Sequence, residues 1–156
     1  MRLDRIDHAI LNHLQHDGRA TSAELGEVAG LSPSPAHRRQ RLLEEGGIIR
    51  GYVALLDQDR VGLSVNVFVS VKLSAQTEDH LLAFERAVAA LPEVMECYVM
   101  SGASDYLLRV VATDLGAYEE FLRTRLTRIP GVRGVESAFA LKRVTSRTSL
   151  PLRSHR

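Results

Sequence analysis

The sequence predicts an α+β chain, with an N-terminal (winged) helix-turn-helix domain followed by a ferredoxin-like βαββαβ domain. Three observations carry that prediction. Apolar residues recur at helical spacing in three short stretches between Leu3 and Gly46. From Val65 the period changes to two, with Val65, Val67, Val69, Val71 and Leu73 alternating with Asn66, Phe68, Ser70 and Lys72. Finally, Leu91-Pro92-Glu93-Val94 is echoed by Ile129-Pro130-Gly131-Val132, each closing a helical stretch just before a strand, as expected of two half-units. The boundaries that follow are 1–52 for the helix-turn-helix, 53–63 for a linker strand or hinge, and 64–156 for the ferredoxin-like domain with a basic C-terminal tail.

Each element has a local cause. Ile6, Ala9, Ile10 and Leu14 form one face of a first helix, with Asp4 and Asp7 where the helix dipole favours anions. Thr21-Ser22-Ala23-Glu24 has capping-box spacing and opens a second helix, whose inner stripe is Leu25, Val28 and Ala29 and whose end is Gly30. Ser32, Pro33, Ser34 and Pro35 suit the first turn of a third helix, which runs to Gly46-Gly47 with Ala36, Gln40 and Leu43 inward. Ile48 to Val53 reads as a wing or a connecting strand, and Asp57 to Gly62 as a polar turn. Beyond the first strand, Leu81, Phe84, Val88 and Leu91 return to helical spacing. Strands Val94–Met100 and Tyr106–Ala112 follow, joined by Ser101-Gly102-Ala103-Ser104-Asp105. A long helix from Leu115 to Ile129 and a strand from Gly134 to Leu141 complete the order. Helices cover one face of such a sheet, so its other face needs a partner subunit or a ligand.

Composition narrows the function. Hydrophobic residues make up 45% and charged residues 25%, which excludes disordered and fibrous classes. The apolar runs are far too short for a membrane-spanning helix, and the N-terminus lacks the apolar stretch of a secretory signal, so a cytoplasmic protein is expected. Cys97 is the single cysteine; it excludes an internal disulfide and reads as a buried core thiol. His8, His13 and His16 lack the partners that would complete a metal site. Neither a nucleophile-base series nor a phosphate-binding loop is legible, so the chain is not read as an enzyme, and no cofactor is expected.

Positive charge is focused at two places. Ser34 to Leu43 holds His37, Arg38, Arg39 and Arg41 without an acid, and Lys142, Arg143, Arg147, Arg153 and Arg156 follow the last strand, again without an acid. A recognition helix presents such residues to base edges and phosphates, so Ser32, Ser34, His37, Arg38, Arg39 and Arg41 are candidate contacts to double-stranded DNA. Arg39 has a second reading, as an ion-pair partner of Glu24, Glu27 or Asp17. In the loop from Ser101 to Tyr106, Gly102 allows close backbone approach and Asp105 offers a carboxylate to an ammonium group, although the same residues also suit a plain hairpin turn.

Across almost the whole chain these residues resemble the Lrp/AsnC (leucine-responsive, feast/famine) family of transcriptional regulators. The N-terminal signature is Leu3-Asp4-Arg5-Ile6-Asp7, Ile10-Leu11, Asp17-Gly18-Arg19, Gly30-Leu31-Ser32-Pro33, Arg39, Arg41, Leu43-Glu44, Gly47-Ile48-Ile49 and Gly51-Tyr52. Downstream it is Glu96-Cys97, Ser101-Gly102, Asp105-Tyr106-Leu107-Leu108, Ala117-Tyr118 and Pro130-Gly131-Val132. The resemblance implies homodimers that assemble into tetramers, octamers or larger forms, DNA bent or wrapped around them, and a free amino acid as effector near Ser101, Gly102, Ala103, Ser104, Asp105 and Tyr106. Many members carry an acid and an aromatic where this chain has Ala103 and Ser104, which leaves one carboxylate in the loop. Leu42 stands where arginine is frequent, and Gln40 where an apolar residue is usual. The expected function is therefore amino-acid-responsive control of amino-acid metabolism genes; the alternative is an effector-independent, chromatin-like DNA organiser of the same fold.

Overall fold

Three helices, α1 (Arg5–Leu14), α2 (Ser22–Ala29) and α3 (Pro33–Glu45), precede β1 (Val65–Leu73), α4 (Glu78–Ala89), β2 (Val94–Val99), β3 (Tyr106–Ala112), α5 (Leu115–Thr124) and β4 (Val132–Phe139). The computed structural model describes residues 2–152. Arg153 and Arg156, the end of the expected basic tail, lie outside the described residues. Residues 2–55 with 145–152 form one unit and residues 56–144 a second. The segment from Thr145, expected to accompany the ferredoxin-like domain, instead falls in the helix-turn-helix unit, where Leu152 packs partly buried against that unit's core.

In the first unit Ile10, Leu11, Leu14, Leu25, Ala36 and Leu43 are buried together. Two capping boxes start its helices: Asp4 with Asp7 on α1, and Thr21 with Glu24 on α2. Gly30 ends α2 at φ +68, a left-handed conformation that glycine adopts without steric cost. Gly26 matters for a different reason: a Cβ there would lie 2.6 Å from the Leu31 carbonyl oxygen, so only glycine lets α2 approach the turn into α3. That closeness leaves Val28, expected inside, 45% exposed. No wing or strand forms over residues 48–56; within one chain this segment has no strand to pair with, and Val53, Leu55 and Leu56 stay exposed.

The second unit is a four-stranded sheet in the order β2-β3-β1-β4, with every neighbouring pair antiparallel. Val67, Val69 and Val71 of β1 and Leu108 and Val110 of β3 are fully covered, and they form one core with Phe84 and Val88 of α4 and Tyr118 and Phe121 of α5. The single long helix expected to reach Ile129 instead breaks at Arg125 and continues as a short 3-10 turn, Leu126–Arg128. Cys97 is exposed rather than buried: it shares the helix-side face with its cross-strand neighbour Leu108, but β2 is an edge strand and only its inner neighbour covers it. On the opposite face Asn66, Phe68, Ser70 and Lys72 have no helix above them, and Phe68 is 40% exposed.

Phe84 is fully buried, with its ring centroid 4.6 Å from that of Tyr106. Phe84→Ala is expected to cost the ferredoxin-like unit about 3–5 kcal/mol, read as a lowered urea midpoint with an unchanged slope.

Candidate DNA interface and ligand pocket

Ser34, His37, Arg38 and Arg41 fall at positions i, i+3, i+4 and i+7 of α3, one stripe of an α-helix, and all four are exposed. Ala36 and Leu43, fully buried, mark the opposite stripe. At the head of the helix Ser32 is the N-cap and its side chain makes no capping bond, while Pro33 fills a first-turn position that needs no N–H. The first turn carries no acid, and although Pro33 and Pro35 lack an N–H, the Ser34 amide, the dipole and the Ser32 hydroxyl are available to an anion such as a phosphate. Arg38 makes no ion pair among the described residues, whereas Arg41 pairs with Glu45 at 2.7 Å. Both members of that pair are solvated, so the bridge is weak and a phosphate competes with it readily.

Arg39 behaves differently. Its guanidinium contacts Asp7 at 3.0 Å and Asp4 at 2.8 Å, in place of the expected Glu24, Glu27 or Asp17. Asp4 and Asp7 are themselves locked together: the Asp7 amide donates to Asp4 at 2.9 Å and the Asp4 amide to Asp7 at 3.0 Å. Asp7 is the one buried charged residue among those described. Arg39 thus fastens the recognition helix to the capped end of α1, which places it with the positioning residues rather than on the exposed stripe. Burial works against its charge, yet Asp7 and Asp4 outweigh this and hold its pKa above the usual value. The Asp7 amide, opposed by desolvation and helped by Arg39, holds Asp4 below the usual carboxylate range.

Glu44 and Gln40, on the remaining side of α3, grip the chain as it leaves. Gln40 Nε2 donates to the Tyr52 hydroxyl at 2.9 Å, and that hydroxyl donates to Glu44 at 2.8 Å. The Tyr52 ring lies against Gly18, where a Cβ would approach it to 3.3 Å. The polar residue at position 40 therefore has an assigned partner.

In the second unit the Ser101–Asp105 loop joins β2 to β3, closed by the Met100 amide donating to the Asp105 carbonyl at 2.8 Å. Gly102 adopts φ +126, where a side chain would be strained. Ser101, Gly102 and Ala103 are exposed, and Ser104 and Asp105 half-buried. The Asp105 carboxylate accepts from the Leu73 amide at 2.7 Å and from Gln76 Nε2 at 2.6 Å, so it ties the loop to the end of β1. Each of its oxygens keeps a further lone pair. Tyr106 is buried; its hydroxyl donates to Glu85 at 2.8 Å, and burial followed by Glu85 pushes its pKa well up. Its side chain is thus separated from the loop's exposed residues.

Ala103 and Ser104 instead line a hollow of about 320 Å³ with Ser70, Lys72, Gly134 and Glu136. Ser70 and Glu136 are direct cross-strand partners, and Lys72 sits two residues along β1 on the same face. Lys72 and Glu136 make no ion pair with each other among the described residues, so the hollow offers one cation and one anion at once. Sequence reading marked Lys72 only as the polar phase of a strand and missed Glu136, because strand register alone brings them together.

Arg39→Ala leaves Asp7 buried without its cation and is expected to destabilise the helix-turn-helix unit by about 1–3 kcal/mol, whereas Arg38→Ala changes stability little; chemical denaturation distinguishes them. Asp4 and Glu24 both have lowered pKa values, Glu24 through the Thr21 amide and hydroxyl. Their stabilising contribution is complete above the ordinary carboxylate pKa, near about 4, and is lost as pH falls through the lowered values. Midpoints measured from pH 6 downward are expected to decline first below about pH 4, and to decline less in Asp4→Asn.

A family model for the AsnC-type helix-turn-helix domain matches residues 3–44, and one for the Lrp/AsnC ligand binding domain matches residues 66–150. The chain is 51% identical over 150 residues to the Bkd operon transcriptional regulator of Pseudomonas aeruginosa, covering 96% of this chain and 98% of that protein. It is 40% identical over 152 residues to the leucine-responsive regulatory protein of Escherichia coli, covering 97% and 93%. Among solved structures, an L-Met complex of a transcriptional regulator from Neisseria meningitidis superposes with a TM-score of 0.91 at 40% identity, covering 96% of this chain and 97% of that one. An AsnC family transcriptional regulator from Agrobacterium tumefaciens gives 0.90 at 43%, with the same coverage. The chain therefore belongs to the Lrp/AsnC family of transcriptional regulators, not of enzymes, with an AsnC-type helix-turn-helix DNA-binding domain and an Lrp/AsnC ligand binding domain.

Proposed function

We propose that this protein is a sequence-specific regulator of amino-acid metabolism genes whose assembly, and through it DNA affinity, responds to a free apolar amino acid. The observation that carries the reading is the exposed stripe of Ser34, His37, Arg38 and Arg41 on a helix whose other basic residue, Arg39, is committed to the fold. Paired copies of α3 in a symmetric dimer would enter successive major grooves, with Ser32 and the head of the helix on a phosphate. The surface offered to a second copy is the uncovered sheet face around the exposed Phe68 and Tyr98. Association into tetramers, octamers or larger forms follows the family pattern. The protein acts in the cytoplasm, on the nucleoid; no helix among the described residues is long and apolar enough to cross a membrane.

For the effector, the hollow beside Ala103 and Ser104 suits a zwitterion, with Glu136 facing its ammonium and Lys72 its carboxylate. Ser101, Gly102 and Asp105 shape the loop above it. Leucine and methionine head the panel, since the relatives include a leucine-responsive protein and an L-Met complex. Effector binding that favours one assembly state changes DNA affinity by linkage.

Arg38→Ala is expected to weaken operator binding by about 1–3 kcal/mol and to relax specificity, with unchanged stability, in a titration at fixed salt. Unaltered affinity would reject the stripe as the contact surface. Lys72→Ala and Glu136→Gln are each expected to weaken leucine or methionine binding in calorimetry by about tenfold, near 1.4 kcal/mol, without changing effector-free DNA binding. Full amino-acid binding in both variants would move the effector elsewhere.

A further inference from the structure

The C-terminal segment is held on the helix-turn-helix unit by a specific grip. Gln15, the C-cap of α1, takes the backbone of Leu150 from both sides: its Nε2 donates to the Leu150 carbonyl at 3.2 Å, and the Leu150 amide donates to its Oε1 at 2.5 Å. Two bonds to one residue are how a sheet edge holds an added strand, here reproduced by a side-chain amide. Pro151 has no N–H to satisfy, and the Leu152 amide turns back to the Leu150 carbonyl at 2.9 Å. Leu152 is partly buried against the unit's core, and Leu150 and Leu152 border an apolar groove of about 270 Å³ shared with Leu3, Leu11, Leu14 and Ile49.

A unit of roughly 55 residues buries too little surface to be more than marginally stable alone, and this one has six buried core side chains. An additional leucine at its edge is therefore a substantial addition. The groove also runs along α1, the helix whose capped start carries Asp4 and Asp7 and so anchors Arg39 of α3.

We propose that Leu150-Pro151-Leu152 is a docking motif, that the groove formed by Gln15, α1 and Ile48–Ile49 is its receptor, and that the occupant is this chain's own C-terminal segment. Docking completes the core of the DNA-binding unit, so residues that follow β4 set the stability of the domain that reads DNA. It also makes the connection between the two units double: one segment leaves through Tyr52, gripped by α3, and the other returns to α1.

Amide hydrogen exchange tests this on the full chain, on a variant ending at Thr148, and on full-length Gln15→Ala and Leu152→Ser, all without DNA. Amides of α1 and of Ile48–Ile49 are expected to exchange about tenfold faster or more in all three variants, with β1 and β3 unaffected. A synthetic peptide spanning residues 145–156 is expected to restore protection to the shortened chain, but not to a shortened chain that also carries Gln15→Ala. Unchanged exchange in the shortened chain, or in Leu152→Ser should the shortened chain not fold, overturns the proposal. Faster exchange that the peptide fails to restore overturns it as well, since the segment would then act by something other than docking. Because DNA is absent throughout, neither failure bears on the recognition stripe.

Discussion

The arrangement of the DNA-binding unit depends on one cluster of charges, Arg39 against Asp4 and Asp7. Three short helices sharing six buried side chains leave α3 much freedom to roll. A guanidinium fixed by two carboxylates, one of them buried and both locked by reciprocal backbone bonds, removes it. A buried carboxylate is costly unless paired, so alternative rolls that separate Asp7 from Arg39 are penalised even where apolar packing would tolerate them. Ser34, His37, Arg38 and Arg41 face outward together as a consequence. The capping box thus has two roles: it starts α1 and it orients α3.

A comparable economy operates in the ligand-binding unit. Its sheet is covered on one side only, so β1 is packed on the residues that meet α4 and α5 and open on those between. The open phase carries Phe68, suited to a second copy, and at one end Ser70 and Lys72, which meet Glu136 of β4. Asp105 sits at the edge of this region as a brace, receiving an amide from β1 and another from Gln76. Through Asp105 the loop above the hollow and the end of β1 are held as one piece.

Most of the fold was legible because local rules agreed. Thr21 with Glu24, the prolines at the head of α3, Gly30, and the strict alternation of β1 each specify one structure, and each forms as expected. The misses share a cause, dependence on tertiary neighbours. Val28 is at core spacing but is exposed, because Gly26 brings α2 against Leu31 instead. Cys97 is apolar in a strand, yet the sheet order makes that strand an edge. Arg39's partners lie 32 and 35 positions away, nearer acids having seemed the natural choice, and Glu136 joins Lys72 only through register. Thr145 to Leu152 carried a visible charge pattern, but nothing in it announced the Gln15 clamp.

The claim on which the rest turns is that the outer stripe of α3 lies in the major groove of two neighbouring half-sites. Site-directed cleavage measures this directly: in a Cys97→Ser background, Ser34→Cys carries an iron chelate, and cut positions on operator DNA are mapped at base resolution. The account predicts two clusters of cuts, symmetric about the site centre and separated by about one helical turn, roughly 10 base pairs, or a multiple of it. Diffuse cutting along the whole duplex, or no cutting while the protein remains bound, would contradict it.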